Sequence, residues 1–394
     1  MIPGSEERLF ALLRLAFGAA EEDYTHFKVE TAKEWSLLYS LASKLSVVGI
    51  AYAGVCKLPK DRRPPLNLAL QWASEAEAIR GHNRLINAEA AHLTELFQKQ
   101  GRRTAILKGA ANARLYPDAF IRQCGDIDIW VDGGRETVVT LLQDLGMMAP
   151  EPTESFFFSH GKSREELYAM AKRKLAVSGH HVHLAQKLNG ISIEVHFRPS
   201  SGNLNPLTNR RLQRYLLAEL AHTELVPEGF YVPSLKFALA MQFSHIQRHF
   251  VAGGIGFKQV ADYFVLLRNA SASDREEFAR QLRKFGFYRM CGALMWVLGY
   301  VFGLERERML CAPDAIRGKL MLEQILRGGN FGYYEKGESL SIIPRWFFRR
   351  CRALRFQSFA PSEVIWSEVS YWKNFIRSIP YRIKLRKASI RELF

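Results

Sequence analysis

Cysteine is scarce in this chain: five in 394 residues (Cys56, Cys124, Cys291, Cys311, Cys351), widely spaced and with no Cys-x-x-Cys pair. An odd, scattered set suggests neither a disulfide framework nor a zinc ribbon. Long apolar runs are lacking too. The nearest candidate, Cys291 to Leu304, covers fourteen residues. That falls short of the roughly eighteen a membrane-crossing helix needs, and the run reads as a buried helix. The stretch Met1 to Arg8 lacks the basic-then-apolar pattern of a secretory signal. These absences together lead us to expect a reducing, cytoplasmic setting. Internal repeats and low-complexity segments are also missing.

Acidic residues are outnumbered, 39 Asp and Glu against 55 Lys and Arg, for a net charge of +16. Such an excess suits contact with polyanions such as nucleic acid, nucleotide phosphates or an anionic membrane, or it serves only to solubilise the surface. A hydrophobic content of 48% with 24% charged residues is that of a folded globular protein. The length suggests two or three domains.

Helical spacing dominates both flanks. Leu9, Leu12, Leu13 and Phe17 recur at helical intervals, as do Trp35, Leu38, Leu41 and Leu45. A Pro64-Pro65 pair breaks the pattern, after which a long helix is expected from Leu66 to Gln100, with Gly101 as its stop. From about Asn209 to Leu326 helical periodicity returns. Between the flanks the pattern changes. Thr104 to Leu107 reads as a buried strand, Ala110 to Leu115 as a small helix and Asp126 to Val131 as a strand. A helix is expected from Glu136 to Leu145, and a hairpin from His180 to Phe197 around Leu188-Asn189-Gly190. The expected class is α+β, a small mixed-sheet core embedded between helical regions. The division is residues 1–100 (helical), 101–205 (core), 206–340 (helical) and 341–394 (a basic, aromatic tail).

The chemistry gathers in the core. Residues two apart on a strand share a face, so Asp126 and Asp128 project together while Ile127 and Ile129 point into a core. Uncompensated, two such carboxylates are costly to bury, and a cation is expected between them. Magnesium suits this, because it takes carboxylates together with substrate phosphate oxygens; manganese is the alternative ion. The stretch Ile191 to Arg198 alternates in the same way, with Glu194 and His196 on its polar face. Glu194 as a third carboxylate would complete a two-metal clamp for in-line phosphoryl displacement. His196 either supports this set, contacts substrate or is an ordinary strand histidine. Upstream, Lys108 and Gly109 lie where a strand meets a helix, a place suited to phosphate. Arg122 and Gly125 precede the aspartates, and Arg122 reaches either a triphosphate or the carboxylates.

In their order and spacing, Ile106-Leu107-Lys108-Gly109-Ala110, Leu115-Tyr116-Pro117, Arg122, Gly125 to Val131 and Ile193 to His196 resemble the uncharacterised nucleotidyltransferase family. That family belongs to the DNA polymerase beta-like nucleotidyltransferase superfamily. Trp35, His245, the segment ending at Asp262 and Pro361 to Trp366 extend the resemblance over roughly residues 30 to 375. It implies that Asp126, Asp128 and Glu194 are catalytic metal ligands, with two magnesium ions between protein and nucleotide. It places Lys108, Gly109, Arg122 and Gly125 around the phosphates of an NTP donor, ATP among them, and His196 and Asp262 along a substrate cleft. The superfamily's usual Gly-Ser turn is Lys108-Gly109-Ala110 here, which puts the loop's triphosphate contacts in doubt more than the carboxylates. The acceptor is open: a protein side chain, an RNA end or a small molecule.

Other signals stay two-sided. His245 and His249 share a helix face, as packing or as half of a metal site. Lys258 and Asp262, four apart, read as an ion pair. His181 and His183 share a strand face near Glu194. From Arg345 onward twelve Lys and Arg stand against three Glu, interleaved with aromatics. This tail reads as packed on the body, or as a contact for nucleic acid or an anionic membrane, with Tyr381 to Lys387 as the exposed arm. Two rivals to catalysis remain: a non-catalytic adaptor retaining the fold, and a structural ion-pair or metal site in an unrelated helical protein.

Overall fold

The computed structural model describes residues 4–18, 25–27, 31–148, 177–184, 187–334 and 342–384. Four helices come first: α1 (Ser5–Ala16), α2 (Ala32–Lys44), α3 (Val48–Lys57) and the long α4 (Leu66–Lys99). Thr31 caps α2 in a reciprocal box with Glu34, which satisfies two N-terminal donors at once. The core follows, as β1 (Thr104–Ile106), α5 (Ala110–Ala113), β2 (Asp126–Val131), α6 (Gly134–Asp144), β3 (His181–His183) and β4 (Ser192–His196). Next come α7 (Pro206–Glu219), the strands β5 (Thr223–Leu225) and β6 (Tyr231–Pro233), α8 (Leu235–Ala252) and α9 (Phe257–Asn269). The remaining helices are α10 (Ala272–Gln281), α11 (Tyr288–Phe302), α12 (Ala315–Gly328), α13 (Ile342–Arg355) and α14 (Pro361–Lys384). The expected α+β class and embedded core are what is found.

The sheet order is β1-β2-β4-β3. β1 runs antiparallel to β2, β2 parallel to β4, and β3 antiparallel to β4. One face is apolar. Ile127, Ile129, Val131, Ile193 and Val195 pack there with Ile86, Leu93 and Phe97 of α4 and Val138 and Leu142 of α6. Each such side chain contributes about 1.5–3 kcal/mol when fully buried, so a one-residue slip of β2, which would turn these residues outward, is strongly disfavoured. The acidic residues are thereby held on the opposite face, toward α8 and α9.

The helical reading of residues 209–326 needs one correction. A hairpin, β5 and β6, interrupts it. Its strands have three residues each, too few to display a period of two, yet Val226, Phe230 and Val232 are buried in the sheet-side core. The C-terminal region divides. Phe356 and Phe359 are fully buried and pack on Phe250 of α8. Ile365, Val369, Trp372 and Ile376 of α14 are exposed. The side chains of Tyr381 to Lys387 lie outside the described residues. No helix among the described residues is long and apolar enough to cross a membrane.

Candidate active site

Parallel pairing sets the key neighbours. Asp128 is in register with Glu194, and Trp130 with His196. On the far side of β4, His196 is opposite His181 and Glu194 opposite His183. Pleating then places Asp126, Asp128, Glu194, His196, His181 and His183 on one face. Their side chains meet. His196 Nε2 lies 3.0 Å from Asp128 Oδ1 and 3.5 Å from Glu194 Oε2. Asp126 is the open member at 40% exposed, Glu194 is 20% exposed and Asp128 is buried at 1%.

A cation of the chain itself, the Lys108 ammonium, lies against both aspartates. Lys108 Nζ is 3.5 Å from Asp126 Oδ2 and makes a closer contact with Asp128 Oδ2. Burial alone would push the lysine down, but the charges of Asp128 and Asp126 reverse this and hold its pKa above the ordinary value. Burial would likewise raise Asp128, yet Lys108 and His196 keep it below the usual carboxylate range. Glu194 also resists its burial: the His196 hydrogen bond and the neighbouring histidines and lysine bring it down to about 2. His196 is the converse case, with burial overcome by Asp128 and Glu194 so that its pKa is raised. The four groups form a balanced ionic network in which each charge is stabilised by the others.

Gly109 follows Lys108 at φ 66°, ψ −106°, a conformation strained for any residue with a side chain. The turn this allows brings Lys108 over the aspartates. The helix behind it, α5, has only four residues, too few for a strong N-terminal dipole. The expectation of a helix-end phosphate site therefore reduces to the Lys108 charge. Gly125 has open space where a side chain would begin and lines the cleft.

Arg122 also lines the cleft, but its guanidinium forms a fork on a different acid. Nε and Nη2 donate to Asp262 Oδ1 and Oδ2 at 2.6 and 2.7 Å, and Tyr116 Oη donates to Oδ1 at 2.8 Å. Asp262 is fully buried behind the wall rather than along the cleft. This takes the place of the Lys258–Asp262 pair read from helical spacing. The loop carrying Arg122 is fixed from two sides. Asn83 of α4 donates to the carbonyls of Phe120 and Arg122. On the other side Gly49 of α3 approaches so closely that a Cβ there would lie 2.3 Å from the Ile121 carbonyl oxygen.

Across a cavity of about 610 Å³ stands a second wall, from α8 and α9: Gln242, His245, Arg248, His249 and Lys258. Sequence reasoning left Arg248 unplaced, read His245 and His249 as packing or half of a metal site, and gave Lys258 to Asp262. The available signal was the cluster of His245, Gln247, Arg248 and His249 in the last two turns of α8. Among the described residues Lys258 has no ion-pair partner; burial lowers its pKa, and its ammonium lies 5.8 Å from the Phe331 ring centre. Burial also holds His249 down to about 4 and depresses His245. Arg248 donates to the carbonyls of Ser201 and Gly202.

A cavity of this size suits a nucleotide-sized ligand. A strand bearing Asp-x-Asp, a third carboxylate on the parallel neighbour and a glycine turn ahead of both make up a nucleotidyltransferase-like core. The chain belongs to the family described as uncharacterised nucleotidyltransferase, whose model matches residues 31–303. No curated protein and no solved structure matches it. The matched span contains every cleft residue named above except Phe331.

Proposed function

We propose that this protein transfers a nucleoside monophosphate group from an NTP to an acceptor hydroxyl or phosphate, releasing pyrophosphate. The observation that carries the reading is the opposition of two walls: three carboxylates on adjacent parallel strands, facing a helical wall whose Lys258 has no ion-pair partner among the described residues. Residues 101–205 would form the nucleotide-handling core, and 206–340 would supply the opposite wall.

The donor set fits a hard divalent cation, since carboxylate oxygens are what magnesium or manganese prefers. Ligand atoms of Asp128, Glu194 and His196 lie within 4.8 Å of one another, and Asp126 meets the same lysine as Asp128. Asp126, Asp128 and Glu194 would hold two such ions, which supply charge neutralisation of the triphosphate and of the attacking oxygen. Lys108, on a flexible stem, would turn from the aspartates to the phosphates. Lys258 would meet the same phosphates from the other side, while Gly109 and Gly125 leave room for the close approach of the nucleotide. Arg122, held by Asp262, would add positive potential at a fixed position. In the transfer the acceptor oxygen bonds to the α-phosphorus as the bond to the bridging oxygen breaks. The electron pair leaves on pyrophosphate, and the acceptor's proton passes to solvent. Glu194, with its pKa depressed, serves this as an ionised ligand and not as a base.

One observation favours a second reading, a non-catalytic adaptor that uses the fold to bind RNA or an anionic membrane: Lys108 already occupies a position against both aspartates. The deciding experiment offers each α-labelled NTP with magnesium and cell extract to wild type and to the Asp126→Ala/Asp128→Ala protein. Transfer of label, absent from the double variant, is the expected result. Transfer that survives the substitutions overturns the catalytic reading, and absence of any nucleotide binding favours the adaptor.

A further inference from the structure

The histidines of β3 are not used by the transfer chemistry, yet they converge on it. His181 and His183 share the polar face of the sheet, and register brings His183 opposite Glu194. His183 Nδ1 lies 3.4 Å from Glu194 Oε1, and His181 Nδ1 lies 3.7 Å from Glu194 Oε2. The two rings meet at Nε2, 2.8 Å apart. One ligand atom from each of the three residues falls within 4.8 Å of the others. A pair of imidazoles can share only one hydrogen bond at that contact. His181, its side chain only 9% exposed, is left with a buried Nδ1 that has no hydrogen-bond partner.

We propose that His181, His183 and Glu194 form a site for a borderline-soft divalent cation, zinc by the chemistry of its donors. This site shares Glu194 with the hard-ion position at the aspartates but takes its other two donors from β3, and it stands whether or not the chain transfers nucleotides. Two imidazoles and one carboxylate are the donor mixture that imidazole-preferring metals select and magnesium does not. Three protein ligands leave a fourth position for water or a substrate oxygen, the pattern of an open zinc site rather than a closed structural one. Two zinc–nitrogen bonds of about 2.0–2.1 Å in tetrahedral geometry hold their nitrogens about 3.3 Å apart, so the rings must turn modestly away from their 2.8 Å contact to admit the ion. His183 has that freedom, being 53% exposed, and it gives the ion a route from solvent. His196, in contact with both Asp128 and Glu194, links the two positions and acts as a positioning residue between them.

The test uses full-length protein stripped with a chelator, then dialysed against zinc or cobalt in excess magnesium. Bound metal is measured by elemental mass spectrometry, and the cobalt form by its visible d–d absorption. Wild type is expected to retain one zinc or cobalt per chain and to show the absorption of a low-coordinate cobalt site. His181→Gln/His183→Gln is expected to lose both with unchanged circular dichroism, and His183→Gln alone, at a half-exposed position, is expected to weaken retention. Asp126→Asn is expected to keep the ion. Undiminished metal content in the histidine variants overturns the proposal, as does wild type that takes neither metal over magnesium. Equal loss in Asp126→Asn also overturns it, by placing the ion at the aspartates. Label transfer in the preceding experiment is scored separately, so failure of one reading leaves the other standing.

Discussion

The two walls of the cleft solve the problem of charge in opposite ways. On the sheet wall, Lys108 and His196 offset part of the charge of Asp126, Asp128 and Glu194, and Asp128 is buried at the centre. On the helical wall, Lys258 has no ion-pair partner among the described residues, Arg248 is spent on carbonyl oxygens, and burial disfavours protonation of His245 and His249. A preorganised acidic surface is suited to holding cations at fixed positions; an uncompensated ammonium is suited to an incoming polyanion. Between them, behind the wall, the Arg122–Asp262 fork serves neither purpose directly and ties the loop ahead of β2 to α9.

That contrast can be broken at its hinge. Asp262→Ala leaves Arg122 buried without its counter-charge, a loss on the order of 3–5 kcal/mol that urea unfolding should register. If the protein retains wild-type stability, the fork is not what holds the loop. On the sheet wall, Glu194→Gln keeps the shape and removes the charge. Transfer should fall by about 10²–10³-fold while equilibrium nucleotide binding changes little. An equal fall in both would move Glu194 from the chemistry to general binding. On the helical wall, Lys258→Met should do the reverse, weakening nucleotide binding about tenfold, or roughly 1.4 kcal/mol, with the rate at saturation nearly preserved.

The smallest effect is one of pH. Burial keeps His249 down to about 4 and His245 depressed as well, against an unfolded value near 6.5. Below about 6.5 the unfolded chain therefore binds protons that the folded chain refuses, so stability is complete above that pH and is lost as pH falls toward 4. The midpoint temperature of wild type should decline between about pH 7 and pH 5. His245→Gln/His249→Gln should show a shallower decline; parallel curves would mean that other groups carry the acid sensitivity.

How much of this was legible in the sequence depended on the range of the interaction that encodes it. Asp126, Asp128 and Glu194 were readable because alternation along a strand is a local fact, and the apolar partners Ile127, Ile129, Ile193 and Val195 declared which face was inside. That Lys108 also meets both aspartates was not, because it reaches them through a glycine turn whose direction no periodicity reports. Asp262 was assigned to its neighbour Lys258 by helical spacing, whereas its partner, Arg122, lies 140 residues away and could be found only through the docking of α9 on the loop. The same limit hid Arg248. The hairpin β5–β6 was missed for a different reason: three-residue strands carry almost no pattern. In the C-terminal region composition showed an excess of charge and aromatics but could not separate Phe356 and Phe359, which are interior, from Trp372, which is not.

Glu363, near the start of α14, is buried and accepts hydrogen bonds from the backbone N–H groups of Leu204 and Asn205. Only Asn203 separates those residues from Ser201 and Gly202, whose carbonyls receive Arg248 of the helical wall. A segment that lies beyond the matched family region thus acts as a clasp on the rim of the cleft. Shortening the chain before Ile342 would leave every cleft residue in place yet strip two donors and the outer face of Phe250 of their cover. Helices α13 and α14 are in this sense part of the cleft's frame, although none of their described residues lines it.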